Sequence, residues 1–158
     1  MVVYDKKLDA WTAGAHAGTF RGNQLAMAAG KIVIERISQP GFLDEVTRKG
    51  NRMKEGLLKL QKDVSIIGDV RGTGLMLGIE FINPNGPKDI MGTPMPDGEI
   101  TARVQRMCLE NGLIMEKGGR FGSVMRCLCA LTITDEEIDQ ALAIFSKVVK
   151  EVDADVMH

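Results

Sequence analysis

The sequence predicts an α+β fold, with an antiparallel sheet of about three to four strands covered by helices. Three observations carry that expectation. Apolar residues recur at helical spacing in long stretches, short aliphatic and β-branched runs fall between them, and glycine or proline marks the boundaries. The order reads loop, two helices, strands, helix, two strands, helix. That order fits an α+β arrangement or a small α/β sandwich.

Taken in order, Met1-Val2-Val3-Tyr4 reads as a strand from its first position. So abrupt a start hints at a chain cut from something longer. Residues 12–22 are loop-like, with Gly14, Gly18 and Gly22 close together. From about Asn23 a helix follows, with Leu25, Ala28, Ala29, Ile32, Val33 and Ile37 at helical spacing and frequent alanine. Pro40-Gly41 breaks it. Leu43, Val46, Gly50, Met53, Leu57 and Leu60 then share one face of a second helix.

Ile66 to Ile82 carries Gly72, Gly74 and Gly78 among aliphatic residues and reads as a strand pair or one long strand. Residues 83–98, with four prolines, predict a linker-like loop that is functional or mobile. A third helix is expected from Glu99 to Asn111, capped by Gly112. Leu113 to Met115 predicts a short strand, Gly118-Gly119 a turn, and Val124 to Leu128 the return strand. Thr134 and Glu137 form a capping box for the last helix, whose apolar face runs through Ile138, Ala141, Leu142, Phe145, Val148, Val149 and Val152.

Composition narrows the function classes. Hydrophobic residues make up 44% and charged residues 26%, a globular balance. The net charge of -1 gives no reason to expect a nucleic-acid partner. No apolar run approaches the ~18 residues of a membrane helix, so no membrane partner is expected. Asp5 and Lys6 interrupt any signal-peptide pattern. Three cysteines without framework spacing point to a reducing cytoplasm, with Cys127 and Cys129 as free core thiols and no metal site.

Two stretches have the right residue types for chemistry. His16 to Ala26 places glycines and the Thr19 hydroxyl just before a helix start, with Arg21 as a nearby cation. Such a set suits a phosphate, although a glycine-rich entry loop that merely caps the helix explains it too. His16 could touch a cofactor or partner, or make an ordinary loop contact. In the second stretch, Arg126 stands on a predicted strand among apolar residues, where an arginine buried or half-buried needs a partner. A substrate carboxylate and a protein acid such as Glu80 or Glu116 fit equally well. The spacing of Val70 to Glu80 is not that of a dinucleotide site, and its glycines read as aids to strand packing.

The segment His16-Ala17-Gly18-Thr19-Phe20-Arg21-Gly22-Asn23 resembles the phosphate-contact stretch of class III pyridoxal-phosphate aminotransferases. Arg21 stands where glycine is usual and Gln24 where proline is usual. This version looks like the diaminobutyrate branch. Val124 to Thr134 resembles the strand whose arginine clamps the substrate carboxylate, with Cys127 and Cys129-Ala130 replacing residues commonly aromatic and proline.

The resemblance implies cofactor contacts at Thr19, Phe20 and Gly18, and substrate binding at Arg126. It also implies pyridoxal 5'-phosphate in a longer parent, a homodimer that shares the phosphate site, and transfer between 2-oxoglutarate and an amino donor such as diaminobutyrate or a similar ω-amino compound. It further implies that residues 1–38 are a remnant of the large domain and residues 39–158 the small domain. The family's Schiff-base lysine lies ahead of the phosphate threonine in a serine-lysine context that Lys6 and Lys7 do not match. No catalytic residue is therefore assigned here, and the chain alone is expected to be inactive. The alternative expectation is a stand-alone carboxylate-binding or regulatory module derived from the small domain.

Overall fold

The computed structural model describes residues 4–15 and 17–158, which divide into two compact units, Met1–Phe42 and Leu43–His158. The opening strand expected over Met1 to Tyr4 falls mostly outside the described residues, and Tyr4 itself is not in a strand. A single 3-10 turn, Lys6–Leu8, follows and is capped by the Asp5 side chain.

In the first unit, α1 (Gln24–Ile37) begins at Asn23, whose side chain accepts the Ala26 amide hydrogen at 3.0 Å. It ends before Pro40-Gly41, where Gly41 takes the left-handed conformation with φ of 80°. None of its residues is buried. Its alanine-rich sequence gives it helical propensity, while Leu25, Ile32 and Ile34 remain exposed.

The second unit begins within α2 (Phe42–Asp63) and continues through β1 (Ile67–Thr73), β2 (Met76–Phe81), α3 (Gly98–Glu110), β3 (Glu116–Gly118), β4 (Val124–Leu128) and α4 (Asp135–Met157). Every strand pairing is antiparallel, in the order β1-β2-β4-β3. This is the α+β architecture that the periodicities predict.

Strand alternation gives the sheet one dry face. Along β2, Leu77, Ile79 and Phe81 are buried while Met76, Gly78 and Glu80 are not. The buried set joins Met53, Leu57 and Leu60 of α2, Val104 and Cys108 of α3, and Ile138, Phe145, Val148, Val149 and Val152 of α4 in one core. Phe81 and Phe145 meet edge to face at 6.4 Å within it. The Asp153 carboxylate ties α4 to the entrance of β1, accepting the Ser65 amide and hydroxyl at 2.7 Å each and the Ile66 amide at 3.1 Å.

Gly50 lets α2 approach the β1–β2 hairpin closely, and Gly72 lets the two strands of that hairpin crowd together. A Cβ on Gly50 would meet the Gly74 carbonyl oxygen at 2.3 Å. Gly72, with φ of 130°, would meet the Met76 carbonyl oxygen at 2.2 Å. Gly72 and Gly74 of the Val70 to Glu80 stretch thus serve packing.

Two expectations need correction. Leu113 to Met115 is not a strand, because its backbone groups are already engaged. The Leu113 amide donates to the Cys108 carbonyl at 2.8 Å, closing α3, and the Met115 carbonyl accepts from the Gln105 side chain at 2.9 Å. Pairing therefore starts at Glu116, and Gly118 is the last strand residue rather than a turn residue.

The segment 83–98 is also more ordered than a linker. Lys88 bridges Pro94, and the Asp89 carboxylate accepts the Met91 and Thr93 amides at 2.8 Å each. The Thr134–Glu137 capping box is present as expected, with both of its hydrogen bonds.

Candidate functional site

The residues singled out for an anion lie together in the first unit. Gly18 to Gly22 runs as consecutive turns, with the Arg21 amide donating to the Gly18 carbonyl at 3.2 Å and the Asn23 amide to the Phe20 carbonyl at 3.4 Å. Thr19 and Phe20 are exposed, and Phe20 retains 88% of its accessible surface. The Thr19 hydroxyl has no hydrogen-bond partner among the described residues.

Because Asn23 takes the Ala26 amide, the first-turn amides of Gln24 and Leu25 remain without an acceptor among the described residues. They stand at the positive end of the α1 dipole. One hydroxyl, two amides and an arginine thus fall within residues 19–25 at one exposed turn, donor types suited to a phosphate dianion. A Cβ on Gly18 would meet nothing nearer than Arg21 Cγ at 3.6 Å, so the turn is sterically open. Phe20 lines a broad concavity of about 1530 Å³ with Tyr4, Trp11, Arg21 and Asn23.

Lys6 and Lys7 belong to the 3-10 turn, and Lys7 pairs with Asp5 at 3.3 Å, exposed to solvent. His16 lies outside the described residues.

Arg126 belongs to the second unit. It lies on β4, opposite Glu116 of β3 on one side and Gly78 of β2 on the other. Alternation sends Met125 to the core and Arg126 to the outer face, where its side chain is 43% exposed. This half-buried, partnered setting lies within what the strand position leads one to expect, and the sequence neighbours Met125 and Cys127 turn toward the core.

Its Nη2 donates to Glu116 Oε1 at 2.5 Å. Glu116 is one of the two acids that the sequence offered as partners. The other, Glu80, accepts instead from Arg71 at 2.6 Å. Both Arg126 and Glu116 are about half exposed, so the pair is open to exchange with a solute carboxylate. A second neighbour was not visible in the sequence. Gly118 underlies the guanidinium, and a Cβ there would lie 3.1 Å from Cζ, Nε and Nη2. The register of three short strands reveals it; no residue pattern does.

Arg126 is among the residues lining an apolar cavity of about 520 Å³, with Leu57, Leu142, Phe145, Cys127 and Cys129. Both cysteines pack against the core. Burial pushes the Cys127 thiol up to about 12 and that of Cys108 up to about 11, so both are protonated, weak nucleophiles at neutral pH. Among the described residues, no group of three or more His, Cys, Asp or Glu is arranged to hold a metal. No helix among them is long and apolar enough to cross a membrane.

The model of the class-III aminotransferase family matches residues 1–149. A diaminobutyrate–2-oxoglutarate aminotransferase of Rhizobium meliloti (strain 1021) is 46% identical over 140 residues, covering 89% of this chain and 30% of the relative. A protein of the same name from Haemophilus influenzae is 39% identical over 142 residues, covering 90% and 31%. Among solved structures, an aminotransferase of Bacillus anthracis matches with a TM-score of 0.71 and 27% identity, over 86% of this chain and 30% of that one. The chain spans about a third of the length of these relatives. With nearly its whole length inside the family model, and with two curated relatives well above 30% identity, the chain belongs to the class-III aminotransferases.

Proposed function

We propose that this chain is the C-terminal part of a pyridoxal-phosphate-dependent aminotransferase. The longer enzyme would move an amino group between diaminobutyrate, or a similar ω-amino compound, and 2-oxoglutarate. The observation that carries this reading is the 46% identity to a diaminobutyrate–2-oxoglutarate aminotransferase across 89% of the chain.

The donor set at the phosphate turn supports it. Thr19 would hold the cofactor phosphate through its hydroxyl, and Gly18 and Phe20 would shape the turn that presents it. The residues present fit the phosphate end of the cofactor. Lys6 and Lys7, held in an exposed turn, do not fit the role of the lysine that anchors its reactive end. When bound, the cofactor supplies the electron sink that amino-group transfer requires. Arg126 would bind and orient the substrate carboxylate, exchanging Glu116 for it.

On this reading residues 1–38 are the end of the large domain and residues 39–158 the small domain. The working enzyme is a cytoplasmic homodimer, and the chain by itself is inactive.

The test is a donor panel on the full-length protein that contains this chain. Glutamate formation from 2-oxoglutarate is followed with diaminobutyrate, acetylornithine and 5-aminovalerate as donors. The expected result is the highest kcat/KM with diaminobutyrate. A higher kcat/KM with either of the others overturns the donor assignment, and no transfer from any of them removes the proposed activity.

A further inference from the structure

Gly118 has no backbone reason to be glycine. Its φ lies outside the left-handed region, unlike that of its neighbour Gly119 at 75°. A side chain at Gly119 would also strike Val124 Cγ2 at 2.6 Å, so position 119 is explained by conformation and packing together. At position 118 the three heavy atoms nearest to an added Cβ all belong to Arg126: Cζ, Nε and Nη2, each at 3.1 Å. Equal distances to three atoms of one plane put that point over the face of the guanidinium, on its Nε–Nη2 side. Glu116, two residues earlier on the same face of β3, takes Nη2 at 2.5 Å. One short strand therefore supplies the guanidinium with a floor that has no side chain and with a counter-ion at its edge.

We propose that Gly118 is a positioning residue for Arg126, and that the missing side chain at 118 sets where the arginine fork meets a substrate carboxylate. The proposal rests on the reading of Arg126 as the carboxylate clamp. An added methyl group would lift the plane by a few tenths of an ångström or turn it away from β3. A bidentate carboxylate–guanidinium pair depends on direction, so such a shift weakens binding without removing a charge.

The test compares Gly118→Ala and Gly118→Val with Arg126→Ala and Arg126→Lys in the full-length holoenzyme, reading KM for 2-oxoglutarate against kcat. Gly118→Ala is expected to raise KM about tenfold, more than it lowers kcat, since small misplacements of a positioning group are costly. Gly118→Val should raise it further. In the Arg126→Lys background, Gly118→Ala should add no further rise, because an ammonium group presents no plane to the floor.

An unchanged KM in Gly118→Ala, alongside a raised KM in Arg126→Ala, overturns the proposal and leaves the carboxylate reading standing. An unchanged KM in Arg126→Ala removes that reading, and the proposal with it. Equal rises from Gly118→Ala in the arginine and lysine backgrounds make Gly118 merely structural and also overturn the proposal. Should Gly118→Ala fail to fold, the melting curve of the Gly118→Ala/Arg126→Ala pair decides. A melt matching that of Arg126→Ala supports the contact with Arg126, and continued failure to fold overturns it.

Discussion

Arg126 shows how much a single residue owes to its strand. Its partner in the structure, Glu116, is a half-exposed acid directly across the ladder, at 2.5 Å. An exposed ion pair of this kind is worth little by itself, about 1 kcal/mol or less, so a ligand carboxylate can displace it. Hydrogen bonds to a charged group contribute ~1.5–3 kcal/mol. Arg126→Ala in the full-length enzyme should therefore raise the 2-oxoglutarate KM about tenfold to a hundredfold. Steady-state kinetics check this, and an unchanged KM would take Arg126 out of the site. The need of this residue for an acidic partner is legible from its type and its strand. The face it takes is not, because apolar neighbours in sequence belong to the opposite face of a strand. The acid that would hold it was narrowed to Glu80 or Glu116, and only the register separates them. At the other site, the glycines, the hydroxyl and the coming helix made the Thr19 turn legible. The role of Asn23 as the helix cap, which takes the Ala26 amide, emerges from the backbone geometry.

Among the elements, the helices could be read from the sequence because amphipathic spacing and caps are local. The Thr134–Glu137 box and the Pro40-Gly41 break fall where the residues put them. The third strand starts later than its residues suggest because its start depends on hydrogen bonds from elsewhere. Gln105 of α3 holds the Met115 carbonyl, and the Leu113 amide closes α3, so only Glu116–Gly118 can join the sheet. The loop at 83–98 looked like a linker because prolines dominate its composition, yet one Asp89 carboxylate folds its tip. The contact between α2 and the β1–β2 turn also belongs to this scale. Gly50 faces the Gly74 carbonyl with no room for a methyl group, and the obstruction is backbone, which cannot rotate away. Gly50→Ala should destabilise the second unit by about 1–3 kcal/mol through overpacking. Chemical denaturation of this chain checks it, and a variant as stable as the parent would contradict the close approach.

For the whole molecule, the two units differ in how much of their stability is internal. Residues 43–158 enclose a core drawn from three helices and one sheet face. Residues 1–42 bury no residue of α1, and leave Trp11, Phe20, Leu25, Ile32 and Ile34 exposed. A unit with that much apolar surface gains stability from a partner surface, and the chain spans about a third of the length of the curated relatives it matches. The proposed division of labour follows the same line: the Thr19 turn and Arg126 would supply phosphate donors and a carboxylate clamp, and the covalent anchor for the cofactor would come from outside these residues. The most direct test is to mix the purified chain with pyridoxal 5'-phosphate, reduce with borohydride and map the product by mass spectrometry. The account predicts no stoichiometric adduct on any one lysine. A stoichiometric adduct on a single specific lysine of this chain would contradict it.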